Sequence, residues 1–276
     1  MMRSKPIADR HLGLSESDRA KPYARFYNTQ LGPLPLHVCL TLDRGVVPDP
    51  LLPPLQTAAQ HLFSATPVIE DGYALASDGT LLVAARTDLP GVTPAMIDWW
   101  FGWHSDSPER YKLWHPHAHV HAAWLSPPPA GSRGRARYVG STSLVDEYIG
   151  GDLIRASIRF VEPRSLGFTD ASLDDPDTTT MVCARTGLGD LPIDVGYLVH
   201  HVRRTGSGSE MRSRFWIGGP HVAGRNALGA ILGRIAPLVL RPTAADARGL
   251  YVHCAEEMQH LASFLPALYA ECRTLD

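Results

Sequence analysis

"AADARGLYVHCAEEMQHLASFLPALYAEC", Ala244–Cys272, is the stretch on which the fold turns. Its apolar residues recur at helical spacing, Leu250, Leu261, Phe264 and Leu268 among them. That periodicity predicts one long closing helix, and Pro266 is expected to kink its last turns. Upstream of it the pattern is that of strands: "YVGSTSLVDEYIGG" from Tyr138, "LIRASIRFVEP" from Leu153, "TTTMVCAR" from Thr178, "DVGYLVHHVRR" from Asp194 and "EMRSRFWIGG" from Glu210. The last two flank "TGSGS", whose Gly206 and Gly208 tolerate the positive φ of a tight reversal, so they read as a hairpin. Several pairing strands followed by a long helix predict an α+β fold, most simply a curved antiparallel sheet wrapped on that helix.

Further upstream, "TPAMIDWWFGWH" offers Thr93 as an N-cap and Pro94 at the first helical position, ahead of an apolar face with Met96, Ile97, Trp100 and Trp103. Residues 1–91 form a smaller leading region rich in proline and turn residues, with a helical stretch at Pro54–Ala65 and a strand pair near Tyr73–Ala85. Residues 92–276 form the main domain.

The composition narrows the function. The chain has 276 residues, 44% hydrophobic and 20% charged, with a formal net charge of -2. A near-neutral chain offers neither nucleic acid nor an acidic membrane an electrostatic partner. The basic cluster "GSRGRAR", Gly131–Arg137, follows a proline run and reads as an exposed loop. No apolar run is long enough to cross a membrane and the start lacks the apolar core of a secretory signal, so a cytoplasmic protein is expected. Cys39, Cys183, Cys254 and Cys272 are widely spaced with no CxxC pair, so a bound metal would be held by histidine and carboxylate.

Four places carry the residues for such chemistry. In "YKLWHPHAHVHAAW", Tyr111–Trp124, the histidines His115, His117, His119 and His121 fall at strand spacing, so up to four imidazoles could share one face, although Pro116 makes "WHP" the turn into the strand. On the closing helix, His253 and Glu257 stand one turn apart, as do Glu256 and His260 on a neighbouring face. Val252 and Cys254 beside His253 favour its burial, where an unpaired imidazole would be costly. In "VDEYIGG", adjacent Asp146 and Glu147 must point to opposite faces of a strand, so one carboxylate faces inward. In the hairpin, His200 and His201 also face opposite ways, and Arg212, Arg214, Phe215 and Trp216 on the return strand supply cations and aromatic surface for a ligand.

Taken together, "MIDWWFGWHSDSPERYKLWHPHAH", "VDEYIGG", "HHVRR", "EMRSRFWIGG" and "HCAEEM" resemble the diacetylphloroglucinol hydrolase and phloretin hydrolase family, over most of the chain from Met96 to Ser263. The resemblance implies a Bet v 1-like, helix-grip catalytic domain, a leading helical region engaged in homodimer contacts, and one zinc ion bound by two histidines and two glutamates. Carried over by position, the ligands are His119, Glu147, His253 and Glu257, with His115 as the alternative to His119. Tyr111 would meet a phenolic hydroxyl of the substrate, and His200 or His201 would act near the scissile bond. Where the family pattern places a second substrate-binding tyrosine, this chain has Phe215.

The implied reaction is hydrolysis of the bond between a phloroglucinol ring and an acyl carbonyl. The expected substrate is phloretin, giving phloroglucinol and 3-(4-hydroxyphenyl)propanoate, with 2,4-diacetylphloroglucinol losing acetate as the second choice. A metal-free carrier of aromatic ligands is the alternative from a different class, since a helix-grip fold has an internal cavity.

Overall fold

The computed structural model describes residues 10–48, 51–64, 69–169, 173, 175, 177–239 and 241–274. The expected closing helix is α7 (Ala244–Cys272), which continues through Pro266. Its start is set by Thr243, whose hydroxyl accepts from the Asp246 amide while the Asp246 carboxylate accepts from the Thr243 amide. Such reciprocal caps satisfy amides that the first helical turn leaves without partners.

The helix lies against one sheet built from β1 (Gly72–Leu75), β2 (Thr80–Pro90), β3 (His119–Ser126), β4 (Thr142–Ile149), β5 (Asp152–Val161), β6 (Thr179–Leu188), β7 (Ile193–Thr205) and β8 (Gly208–Gly218). Their order is β1-β2-β8-β7-β6-β5-β4-β3, with every neighbouring pair antiparallel, and β9 (Ala223–Gly224) adds to β7. This is the α+β, Bet v 1-like helix-grip arrangement, recognised from the sheet and its long helix. The β7–β8 hairpin forms as expected, but only Gly208 of its two glycines takes a positive φ, +152°. A side chain there would also collide with the Leu89 carbonyl 2.3 Å from its Cβ.

Strict alternation along the strands gives the sheet two buried faces. Leu198, Val202, Met211 and Phe215 join the principal core with Trp100, Leu261 and Leu265 of the helical layer. Val199 and Trp216 point the other way, into a second cluster with Leu62, Phe168 and Met181.

The helical layer over the first face contains α4 (Pro94–His104), which starts at the expected Thr93 cap and Pro94. A second helix not read from the sequence, α5 (Pro108–Trp114), follows with Ser107 as its cap. The leading region holds α1 (Glu16–Arg19), α2 (Leu36–Arg44) and α3 (Ala58–Leu62). The helix expected at Pro54–Ala65 is shorter, a 3-10 turn at Leu55–Thr57 running into α3, and Ala65 lies outside the described residues. The predicted strand pair is β1 and β2, and β2 extends to Pro90, pairing with β8 along its whole length. The main sheet therefore begins inside the leading region. A further helix, α6 (Ala227–Val239), precedes α7. The "GSRGRAR" loop is mostly exposed, with Arg135 anchored by donating to the Met181 carbonyl at 3.1 Å.

Candidate active site and metal centre

The turn between α5 and β3 decides which histidines meet. His115 caps α5, Pro116 and His117 form the turn, and the chain enters β3 at His119. The turn at Pro116 is as the sequence suggested, and the allowance of up to four imidazoles on one strand face is corrected: the first two precede the strand, and a bulge between His119 and His121 breaks the register of the others. Across from His119 in the ladder stands Glu147. Strand alternation sends Glu147 inward and leaves Asp146 on the outer side, where Arg10 pairs with it at 2.5 Å.

His253 and Glu257 of α7 close on the same point. The His119 Nε2 atom lies 3.4 Å from His253 Nε2, 3.4 Å from Glu147 Oε2 and 3.5 Å from Glu257 Oε2. His253 Nε2 lies 3.5 Å from Glu147 and 3.6 Å from Glu257. Four ligands placed tetrahedrally at about 2.1 Å from a small divalent ion are separated by about 3.4 Å, and the spacings among His119, Glu147 and His253 match that, with Glu257 adjoining both histidines. Among the described residues, His119, Glu147 and His253 form the group whose ligand atoms all lie within 4.8 Å of one another.

Charge gives a second test of fit. Burial pushes Glu257 up to about 8, opposed by His253 and reinforced by Glu147. At His253 burial acts downward, but Glu257 and then Glu147 overcome it and raise the imidazole to about 9. Burial would also lift Glu147, yet hydrogen bonding and charge from His253, with Tyr111, hold it below the usual range. His119 is driven well down by burial, with His253 and His115 adding. At neutral pH the metal-free cluster is thus an imidazolium, a carboxylate, a carboxyl and a neutral imidazole, with no net charge. A divalent ion replacing the two protons leaves that balance unchanged, which is the property such a buried site needs.

The supporting contacts are equally directed. His119 Nδ1 donates to the Tyr111 carbonyl at 3.0 Å, leaving Nε2 as the atom turned towards the cluster. The Tyr111 ring stacks on His119 with centroids 3.8 Å apart and planes within 4°. Its hydroxyl donates to Glu147 at 2.5 Å. Tyr111 therefore steadies two members of the cluster at once.

An inner cavity of ≈ 80 Å³ opens beside these groups, lined by Tyr111, Glu147, His253 and Glu257 at one end and by Phe160, Leu198, Phe215 and Leu250 along its walls. His200 lines it, with Nδ1 2.8 Å from the Ser213 hydroxyl, and burial lowers this imidazole to about 3. His104, Ser105 and Ser143 also line it. None of these three was singled out in the sequence, although His104 closes the quoted "WWFGWH".

Other residues assigned to the site lie elsewhere. His201 points to the second face, against Thr179, the Leu62 carbonyl and Phe63. Arg212, paired with His201 across the hairpin, binds the Leu62 and Ser64 carbonyls together with Glu210 and Glu70. Trp216 donates to the Pro53 carbonyl on that same face. Alternation removes all three from the cavity, leaving His200 and Phe215 as the hairpin's contribution.

His115 stands outside the group of His119, Glu147 and His253. It stacks on the outer side of His253, with centroids 5.1 Å apart, and meets Glu256 at 3.2 Å. It faces an outer pocket of ≈ 450 Å³ with His117, Arg248 and Glu256. A larger open groove of ≈ 1480 Å³ runs between α4 and the 127–137 loop, lined by Arg133, Arg135 and Arg137, on the far side of α4 from the cluster.

Fold and site together define a helix-grip protein with a mainly apolar inner chamber that ends on a charge-balanced group of histidines and glutamates. The comparisons give this class a family. Residues 52–270 match the model of the DAPG hydrolase PhiG domain, and the chain belongs to that family. It is 31% identical over 268 residues to a 2,4-diacetylphloroglucinol hydrolase of a Pseudomonas species, covering 93% of this chain and 90% of the relative. It is 28% identical over 267 residues to the phloretin hydrolase of Eubacterium ramulus, covering 94% and 93%. Among solved structures, that of Ara h 8.0201 is similar over 68% of this chain and 99% of that one, with 7% identity and a TM-score of 0.38. The chain is an enzyme, a hydrolase of the acylphloroglucinol-cleaving family.

Proposed function

We propose that this enzyme uses zinc to hydrolyse the ring–acyl carbon bond of short-chain acylphloroglucinols, with 2,4-diacetylphloroglucinol as substrate and acetate as the released acid. The observation that carries the choice is the likeness to the 2,4-diacetylphloroglucinol hydrolase, 31% identical over 268 residues against 28% over 267 for the phloretin hydrolase. Phe215, which narrows the wall without a hydroxyl, supports an apolar acyl end.

His119, Glu147, His253 and Glu257 would hold the ion, which two imidazoles and two carboxylates suit. Bound there, zinc supplies Lewis acidity for the acyl carbonyl or for water. Around it, Tyr111 keeps Glu147 and His119 in place, while Phe160, Leu198 and Phe215 exclude bulk water. Hydrolysis joins a water oxygen to the acyl carbon, breaks the ring–acyl bond and leaves its electron pair on the ring carbon, which takes a proton. A phloroglucinol ring accepts that pair because its hydroxyls permit a keto form. His200, on the wall of the same cavity, is placed to relay to the ring carbon the proton released by the attacking water.

Two further readings belong with this one. The exposed α2 leucines Leu36 and Leu40, 74% and 52% accessible, support a homodimer through the leading region. Four free cysteines, three of them buried, suit a cytoplasmic setting.

Steady-state turnover of 2,4-diacetylphloroglucinol, its monoacetyl form and phloretin tests the proposal. A higher kcat/KM on the acetyl compounds is expected. Preference for phloretin would overturn the substrate choice, and tight binding of all three without cleavage would establish the carrier reading instead.

A further inference from the structure

His104 is buried on the last turn of α4 and lines the cavity, yet it belongs neither to the ligand cluster nor to the hairpin. Its Nδ1 lies 2.7 Å from the Trp100 carbonyl. A carbonyl only accepts, so this nitrogen carries the hydrogen and Nε2 keeps its lone pair. Nε2 makes no hydrogen bond with the other described residues and faces the cavity. The ring is held between Trp100, 4.7 Å away, and Tyr111, 5.8 Å away and tilted by 13°, in a column that continues to His119.

The hydroxyl protons of the other cavity groups are already committed. Tyr111 donates to Glu147, Ser105 to the Phe101 carbonyl and Ser143 to the Ser105 carbonyl. His200 faces a serine hydroxyl, which can donate or accept, so its tautomer is open. His104 is the cavity histidine whose tautomer a carbonyl dictates.

From this geometry we propose that His104 is a specificity residue that accepts a hydrogen bond from a ring hydroxyl of the substrate through Nε2. The inference rests on the acylphloroglucinol reading and names what that site demands of the ring. An acceptor held in a ring stack rewards a phenolic donor and gives nothing to an alkylated oxygen. It sets the hydroxylated ring along the Tyr111 column while the acyl group points towards the cluster.

The test is nitrogen NMR of the metal-loaded, 15N-histidine-labelled protein with phloroglucinol or 1,3,5-trimethoxybenzene, assigned with His104→Phe and His104→Gln. Phloroglucinol should move the unprotonated Nε2 resonance of His104 upfield, and the trimethoxy compound should not. His104→Phe keeps the stacked ring and should raise KM for acetylphloroglucinols by about 10- to 100-fold, with metal content unchanged. His104→Gln, which restores an oxygen acceptor, should recover part of that loss. An unmoved Nε2 resonance with phloroglucinol bound, or a His104→Phe enzyme with unchanged KM, would overturn the proposal. If His104→Phe does not fold, the wild-type resonance still decides. A protein that shows the shift but cleaves no acylphloroglucinol would refute the functional reading and leave the hydroxyl contact standing.

Discussion

Replacing Tyr111 by phenylalanine removes one oxygen and leaves the ring that stacks on His119. The lost contact is the 2.5 Å hydrogen bond to Glu147, between a buried phenol and a carboxylate held in its charged form by its neighbours. Hydrogen bonds to charged groups contribute about 1.5–3 kcal/mol, and that is the expected fall in folding stability. Metal affinity responds differently, because the bond exists with and without the ion. Only the part that keeps Glu147 in its ligating rotamer is felt, and losses of such orienting partners run about 10- to 100-fold in affinity. Competition with a chromophoric chelator measures the affinity, and urea unfolding of the metal-free protein measures the stability. A Tyr111→Phe protein that binds the ion as tightly as wild type while its KM rises would refute this reasoning and make Tyr111 a substrate contact, as the sequence suggested.

Metal affinity should depend steeply on pH. The metal-free site holds protons on His253, raised to about 9, and on Glu257, raised to about 8, and ligation must displace both. Affinity should therefore rise with pH, with a slope approaching two decades per unit below about 8, shallower up to about 9 and flat above; a flat profile from pH 6 to 9 would contradict the assignment. Trp216→Ala should cost about 3–5 kcal/mol of stability in urea unfolding, because Trp216 is buried in the second cluster and donates to Pro53. In the folded fraction KM should be unchanged, whereas Phe215→Ala, one residue away on the cavity wall, should change KM; the opposite pattern would reverse the facing of β8. Gly249→Val should disturb the end of the β4–β5 hairpin, since even a Cβ at Gly249 meets the Gly150 Cα at 2.9 Å. Reduced thermal stability is the expected result, and an unchanged Tm would show that this contact yields freely.

Legibility in the sequence followed the strength of each local signal. The closing helix, the Thr93 cap and the hairpin were readable because periodicity and turn chemistry are local. Opposite facing of Asp146 and Glu147, and of His200 and His201, was readable too, but not which member faces inward. That depends on which sheet face meets α7, a tertiary fact. Helix α6 escaped because Gly229, Gly233 and Pro237 depress its helical propensity. His104 escaped because a histidine four residues after a tryptophan carries no signal until α5 folds back and places Tyr111 over it. Phe215 was legible as a departure from the family pattern, and its place on the cavity wall gives that departure a physical meaning.

Acetate release from 2,4-diacetylphloroglucinol, followed before chelation, after chelation and during stepwise zinc return, tests the central claim most directly. The account predicts that turnover disappears with the metal and is restored in proportion to zinc up to about one ion per chain, and that His253→Ala neither binds the ion tightly nor turns over. Full turnover by metal-free protein, or by His253→Ala, would contradict it.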